Sequence, residues 1–133
     1  MSDAPFKLSN GVEVPLVDDQ VYLPFVLDNG VKCLCISDPF AETAAAAVCV
    51  SVGNFSDPIP GLAHFLEHMC FLGTEKFPDE NSFGAFLNEN GGASNAYTAS
   101  EQTNYHFQVK ASALKEALHR FSTFFTCPLF TAS

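Results

Sequence analysis

Basic residues are scarce in this sequence, and tryptophan is absent. Six Lys and Arg stand against fifteen Asp and Glu, so the formal net charge is −9 over 133 residues. Nucleic acids and anionic membrane surfaces are bound through clustered basic side chains, so this balance argues against both as partners. The sequence also has no apolar run of membrane-spanning length, because the apolar stretch 44–52 covers only nine residues.

The first residues do not predict a secretory leader, and the number of cysteines is odd. Its first six residues have neither a basic start nor an apolar run, and its cysteines number five. We therefore expect a reduced, cytoplasmic protein. Cys33 and Cys35 are only two residues apart, which is not the spacing of a redox or zinc pair, so all five cysteines are interpreted as small apolar residues.

Apolar residues, in contrast, are plentiful. Hydrophobic residues make up 47% of the chain, and phenylalanine alone occurs fourteen times. This content is sufficient for the core of one domain and argues against disorder. Residues 1–20 carry prolines and acids without periodicity and are predicted to be a flexible lead-in, so the domain is assigned to residues 21–133.

Hydrophobic periodicity and turn residues predict an alternation of strands and helices. The predicted strands are 21–27, 31–36, 44–52, 93–99 and 105–109, and Asp28-Asn29-Gly30 predicts a hairpin turn between the first two. The predicted helices are 61–71, 79–90 and a segment capped by Ser112 and ended by Pro128. Because the stretch 44–52 lacks polar alternation, we expect a central strand buried on both faces. The order of elements predicts an α+β fold, a two-layer sandwich with helices on one face of a mainly antiparallel sheet.

The sequence His64-Phe65-Leu66-Glu67-His68 carries the strongest chemical signal. On a helix, His64 and His68 are one turn apart on the same face, with their Cβ atoms about 5–6 Å apart. Glu67 projects near that face, so the segment offers two nitrogen ligands and a carboxylate, the inverted (HxxEH, inverzincin) signature of zinc proteases. For either histidine alone, the alternative of an ordinary core or boundary residue is favoured.

Segments on both sides of this motif strengthen the signal. Matching stretches are found at 61–64, 69–78, 92–98 and 101–105. With them, the chain resembles the N-terminal part of the insulysin, nardilysin and pitrilysin group of zinc metallopeptidases, from about residue 27 to 130, and is most similar to insulysin-like members. The resemblance implies the two-layer fold of their first domain, hydrolysis of peptide bonds in short polypeptides and one zinc ion at the site.

Roles for individual residues follow from the same resemblance. His64 and His68 match the two zinc-binding histidines of the family, and Glu67 matches the general base that takes a proton from the attacking water. Asn95 and Ala96 match a strand onto which the peptide substrate docks by backbone pairing.

The resemblance also covers two aromatic positions. Phe71 and Tyr97 match residues that line the pocket beside the cleaved bond. Two alternatives stay open from the residues themselves: Asn95 as an ordinary turn asparagine, and Phe71 and Tyr97 as core aromatic residues.

The motif supplies only two of the three protein ligands that a catalytic zinc normally has. The resemblance implies that the third is a glutamate roughly seventy-five residues beyond His68, which lies past Ser133. We therefore expect the domain to be incomplete at its C-terminus and leave open whether this chain alone is an enzyme. One hypothesis is the N-terminal part of a longer zinc endopeptidase. The other is a truncated, non-catalytic product that binds zinc weakly or associates with a related chain or with the remainder of the enzyme.

Overall fold

The computed structural model describes residues 6–130. The chain divides into two compact units, Met1–Ala41 and Glu42–Ser133. Within residues 6–130, the first unit contains only strands, whereas the second contains a sheet and three α-helices. The second unit carries the His64–His68 motif.

Two antiparallel hairpins make up the first unit. Strands β1 (Phe6–Ser9) and β2 (Val12–Pro15) pair with each other, as do β3 (Val21–Val26) and β4 (Lys32–Ser37). The predicted hairpin around Asn29 and Gly30 is thus confirmed.

The hairpin β1–β2 falls within residues 1–20, where the sequence pattern predicts no regular element. Its turn is Asn10-Gly11, and both residues have positive φ, 50° and 86°. Asn-Gly favours this conformation, so the signal for the hairpin was present in the sequence. The flexibility of the lead-in stays a prediction, and residues 1–5 lie outside the described part of the chain.

The second unit is built on a three-stranded antiparallel sheet with the strand order β5-β7-β6. Its elements are β5 (Thr43–Val50), α1 (Leu62–Met69), α2 (Ser82–Glu89), β6 (Ala93–Thr98), β7 (Thr103–Lys110) and α3 (Leu114–Thr126). The longest helix, α3, has 13 residues. Within residues 6–130, no helix combines the length and the apolarity needed to cross a bilayer.

Helices α2 and α3, together with Cys70 directly after α1, contribute to a core on one face of this sheet. Tyr105, Phe107 and Val109 alternate along β7 with more exposed residues, and they point toward the helices. The buried core cluster consists of Cys70, Phe83, Leu87, Tyr105, Phe107, Val109, Ala117, Phe121 and Phe124. The predicted α+β sandwich with helices on one face is confirmed for this unit.

The expectation that 44–52 forms a central strand buried on both faces is wrong. Among the described residues, β5 pairs only with β7, so β5 lies at an edge of its sheet. Ala45, Ala47 and Cys49 are exposed, whereas Ala46 and Val48 pack against the core cluster. The sequence does not show this alternation, because alanine occurs on both the buried and the exposed face of the strand.

Two helix starts also differ from prediction. Ser112 does not cap α3, because it lies inside a 3₁₀ turn, Ala111–Ala113, that leads directly into the helix. Helix α2 begins at Ser82 rather than at residue 79. Asp79 instead accepts a hydrogen bond from the backbone N–H of Asn81 at 2.9 Å, which forms a turn before the helix.

Substituting Phe121→Ala should lower the free energy of unfolding by about 3–5 kcal/mol. The Phe121 ring is 2% exposed and makes edge-to-face contacts with Phe107 and Phe125. Urea titration followed by circular dichroism measures this change. Phe55→Ala is the control, because Phe55 is 81% exposed and its removal should change the same free energy by less than about 0.5 kcal/mol. Equal effects in both variants would contradict the assigned core.

Candidate active site

Asp57 organises the start of the motif helix α1. Its two carboxylate oxygens accept hydrogen bonds from the backbone N–H groups of Gly61 (3.1 Å) and Ala63 (2.9 Å). These N–H groups lie in the first turn, where the helix itself provides no acceptor. Gly61 precedes the helix with φ 88°, a left-handed conformation that favours glycine. The carboxylate is also favourably placed at the positive end of the helix dipole.

The segment before α1 packs tightly on the turn that joins β6 to β7. The backbone N–H groups of Asn54 and Phe55 donate to the carbonyls of Ala99 (3.0 Å) and Ser100 (2.8 Å). A Cβ atom at Gly53 would lie 2.3 Å from the Ala99 carbonyl oxygen, so only glycine allows this approach. The loop therefore ties the N-terminal end of α1 to the end of β6.

On α1, the two histidines lie side by side on the exposed surface. Their Nε2 atoms are 3.0 Å apart and their ring centroids are 4.8 Å apart. Ligand atoms of His64, Glu67 and His68 all lie within 4.8 Å of one another. Among residues 6–130, this is the one group of three His, Cys, Asp or Glu side chains close enough to hold a metal ion.

The donor set of this group fits a zinc ion. Two nitrogens that each bind zinc at 2.0–2.1 Å are roughly 3.3 Å apart in a tetrahedral site, close to the 3.0 Å found here. The same separation also suits a hydrogen bond between the two rings. A third ligand is needed if Glu67 is to act as a base, and the described residues bring no other metal-ligating side chain into the group.

Glu67 differs from the histidines because it is buried, with 7% of its surface exposed. Its Oε2 atom accepts a hydrogen bond from the hydroxyl of Thr98 at 2.5 Å. This short distance is typical of a hydroxyl that donates to a carboxylate. The bond joins α1 to the last residue of β6.

Neither Asp57 nor Thr98 is among the site residues predicted from the sequence. An acid ahead of a helix is a general signal for a helix start, and that signal was available for Asp57. Thr98 offered no such signal, because its partner Glu67 is 31 residues away.

Among the residues that the structure describes, β6 pairs only with β7 and forms an edge of the sheet beside α1. The Ala99 N–H donates to the Gln102 carbonyl, so this pair at the turn is hydrogen-bonded. In antiparallel strands, hydrogen-bonded pairs alternate with non-hydrogen-bonded pairs. Thr98 and Ala96 therefore belong to non-hydrogen-bonded pairs. Their backbone N–H and C=O groups point away from β7. Within the described part of the chain, the backbone of β6 therefore presents N–H and C=O groups that pair with no other strand, at an open edge near Glu67.

The predicted docking residues occupy different faces of β6. Ala96 packs toward the core, on the same face as Thr98. Asn95 and Tyr97 are exposed on the opposite face of the strand. The Asn95 side-chain oxygen accepts the Ala96 N–H at 2.9 Å, which occupies one of the donors at the open edge.

The two aromatic residues predicted to line a pocket differ in exposure. Tyr97 is 47% exposed, and its hydroxyl accepts a hydrogen bond from the Gln102 side chain at 3.3 Å. Phe71 packs edge-to-face on Phe124 with a centroid distance of 5.1 Å and belongs to the layer around the core cluster. The contacts of Phe71 are therefore those of a core aromatic residue, and its role in substrate binding stays a prediction.

Cys70, two residues beyond His68, faces away from the metal group. Its Sγ atom lies 3.8 Å from the Tyr105 hydroxyl, and it borders an apolar cavity of about 360 Å³ between α1 and α3. Burial raises the pKa of the Cys70 thiol and also that of the Tyr105 hydroxyl. Cys70 belongs to the buried core cluster and is not part of the group of ligand atoms around His64 and His68.

The two-layer fold and the HxxEH helix together define a metallopeptidase-like domain. Residues 32–133 match the family model described as Insulinase (Peptidase family M16). The chain is 52% identical over 126 residues to insulin-degrading enzyme-like 1, peroxisomal, of Arabidopsis thaliana, and 47% identical over 129 residues to the insulin-degrading enzyme of Homo sapiens. These alignments cover 92% and 96% of this chain. The chain therefore belongs to the insulinase family, whose members are zinc metallopeptidases.

A solved structure supports the same assignment. The crystal structure of pitrilysin superimposes with a TM-score of 0.83 at 38% identity and covers 86% of this chain. The matched region is 12% of the pitrilysin chain and 13% of each of the two insulin-degrading relatives. The chain thus corresponds to a small part of much longer proteins.

Substituting Asp57→Ala should destabilise α1, because it removes the acceptors of two N–H groups in the first turn. We expect the free energy of unfolding to fall by about 1 kcal/mol. Amide exchange at Gly61 and Ala63 should accelerate, and NMR measures it residue by residue. Asp57→Asn is the matched control: it retains one acceptor oxygen and should show a smaller effect. Unchanged exchange in the alanine variant would remove Asp57 from this role.

Proposed function

We propose that this chain provides the N-terminal, zinc-binding segment of a metalloendopeptidase that cleaves short polypeptides. The observation that carries the proposal is the group formed by His64, Glu67 and His68 beside the open edge of β6. The family supports zinc as the metal and peptides as substrates. The length of the relatives supports a longer enzyme, in which a third ligand comes from outside this chain.

In this proposal each residue of the motif has a separate task. His64 and His68 hold the metal through Nε2, so each neutral ring carries its proton on Nδ1. A bound zinc would supply a Lewis acid that activates a water and polarises the scissile carbonyl. Glu67 accepts the proton of the attacking water and later donates it to the leaving amine. Because Oε2 of Glu67 accepts the hydrogen bond from Thr98, Oε1 is the oxygen available to accept the proton of the water.

The open edge of β6 is the proposed docking strand for the substrate. An extended peptide that pairs with the outward N–H and C=O groups of Ala96 is fixed in register without a demand for one sequence. Asn95 must then release the Ala96 N–H, and its amide becomes available to the peptide. Tyr97 and Phe71 are retained as proposed pocket residues, with Tyr97 supported by its exposure.

A non-catalytic product is the second candidate function. It is favoured by the same metal group, since the described residues supply only two histidines besides the proposed base. Such a chain would bind zinc weakly and associate with the remainder of the enzyme or with a related chain. For location we propose the cytoplasm, although the name of the Arabidopsis relative places that protein in peroxisomes.

Substituting Glu67→Gln should abolish zinc-dependent peptide hydrolysis while the bound metal is retained, because an amide cannot take the proton. The measurement is turnover of a fluorogenic peptide by the longest native product that contains the chain, with metal content from elemental analysis. Glu75→Gln is the control, since Glu75 is an exposed acid outside the metal group. More than a few per cent of parent turnover in the Glu67 variant would exclude Glu67 as the base.

Substituting His64→Ala or His68→Ala should weaken zinc binding by the chain at least tenfold, because either change leaves a single imidazole. Isothermal titration with zinc measures the affinity. The control is His119→Ala, whose ring lies on α3 and contacts Phe77 and Glu116. If the two motif variants bind zinc as tightly as the control, the proposed metal site is wrong. The second candidate function predicts zinc binding without turnover in the intact native product.

A further inference from the structure

We propose that Thr98 is a positioning residue that holds the Glu67 carboxylate in its reactive orientation. This inference rests on the proposed function, because it assigns Glu67 the role of the base. Its starting observation is the 2.5 Å hydrogen bond from the Thr98 hydroxyl to Oε2 of Glu67. No other hydrogen bond to the Glu67 carboxylate occurs among residues 6–130, so Thr98 adds the one directional restraint to a side chain that is also held by burial.

The backbone of Thr98 is itself held firmly. It lies opposite Thr103 on β7, and the next residue, Ala99, donates its N–H to the Gln102 carbonyl at 2.8 Å and accepts the N–H of Asn54 at 3.0 Å. Gly53 allows this loop to approach closely, and the loop leads into α1. The hydroxyl of Thr98 and the helix that carries Glu67 are therefore tied to the same rigid turn.

The consequence for the base follows from the free torsions of a glutamate side chain. Without that hydrogen bond, only packing would limit the buried Glu67 side chain, and rotamers that turn both oxygens away from the metal group would become populated. The bond at Oε2 selects one of them and leaves Oε1 as the proton acceptor. A catalytic group held in a reactive geometry is a recognised source of rate enhancement.

A purely structural role makes a different prediction. In that case the bond only fastens α1 to β6, and its loss lowers stability without a specific effect on turnover. The sheet provides a matched control for this reading. Thr103, the strand partner of Thr98, also donates its hydroxyl at short distance, but to the Val52 carbonyl at 2.9 Å and not to Glu67.

The test compares Thr98→Val, Thr98→Ser and Thr103→Val in the longest native product, assayed with a fluorogenic peptide. Thr98→Val removes the hydroxyl at nearly constant volume and should lower kcat about tenfold, with KM and zinc content unchanged. Thr98→Ser retains the hydroxyl and should stay within about twofold of the parent kcat. Thr103→Val should lower Tm and leave kcat unchanged. Thr98→Ala replaces the valine variant if that one fails to fold.

A second readout is independent of activity. Three-bond couplings in glutamate-labelled protein report the rotamer populations of Glu67, whose signals are assigned by their loss in Glu67→Gln. The parent and Thr98→Ser should show one rotamer, and Thr98→Val should show averaged couplings. If the parent has no zinc-dependent turnover, the proposed function fails, and these couplings still decide the role of Thr98.

Three results would overturn the proposal. The first is full kcat in Thr98→Val, and the second is an equal loss of kcat in Thr103→Val or in Thr98→Ser. The third is a Glu67 rotamer that does not change when the Thr98 hydroxyl is removed.

Discussion

The geometry of the site depends on how the start of α1 is fixed against the β6–β7 turn. Asp57 provides acceptors for the first N–H groups of the helix, while Gly53 lets the preceding loop lie directly on the turn. A helix of eight residues has little stability by itself, so its direction must come from such contacts. The position of the two histidines and of Glu67 relative to β6 is a consequence of this attachment.

The same attachment places a buried acid beside exposed ligands. His64 and His68 face solvent, where a metal can reach them, whereas Glu67 lies on the side of α1 that faces the sheet. Burying a carboxylate is costly unless it is hydrogen-bonded, and Thr98 meets that requirement. The open edge of β6 then brings unpaired backbone groups to the same place, which is the arrangement that peptide docking by strand addition requires.

Local patterns predicted those features that depend on neighbouring residues. The Asn29-Gly30 turn, the helix around His64 and the alternation along β7 are all encoded within a few positions. Predictions failed where a pattern was ambiguous or a competing turn was stronger. The alanine run of β5 does not indicate that the strand lies at an edge of the sheet. Ser112 lies in a 3₁₀ turn instead of capping a helix. The turn at Asn10-Gly11 lies among prolines and acids that show no periodicity, so no hairpin was predicted there.

The amino-acid sequence alone determined that two imidazoles meet on one helix face, because four-residue spacing corresponds to about one helical turn. It also carried the family assignment through several matching segments. Only the tertiary structure decided that Glu67 is buried and that Thr98, 31 residues away, is its partner. That contact arises where a helix packs on a distant strand, and no local spacing rule describes such packing.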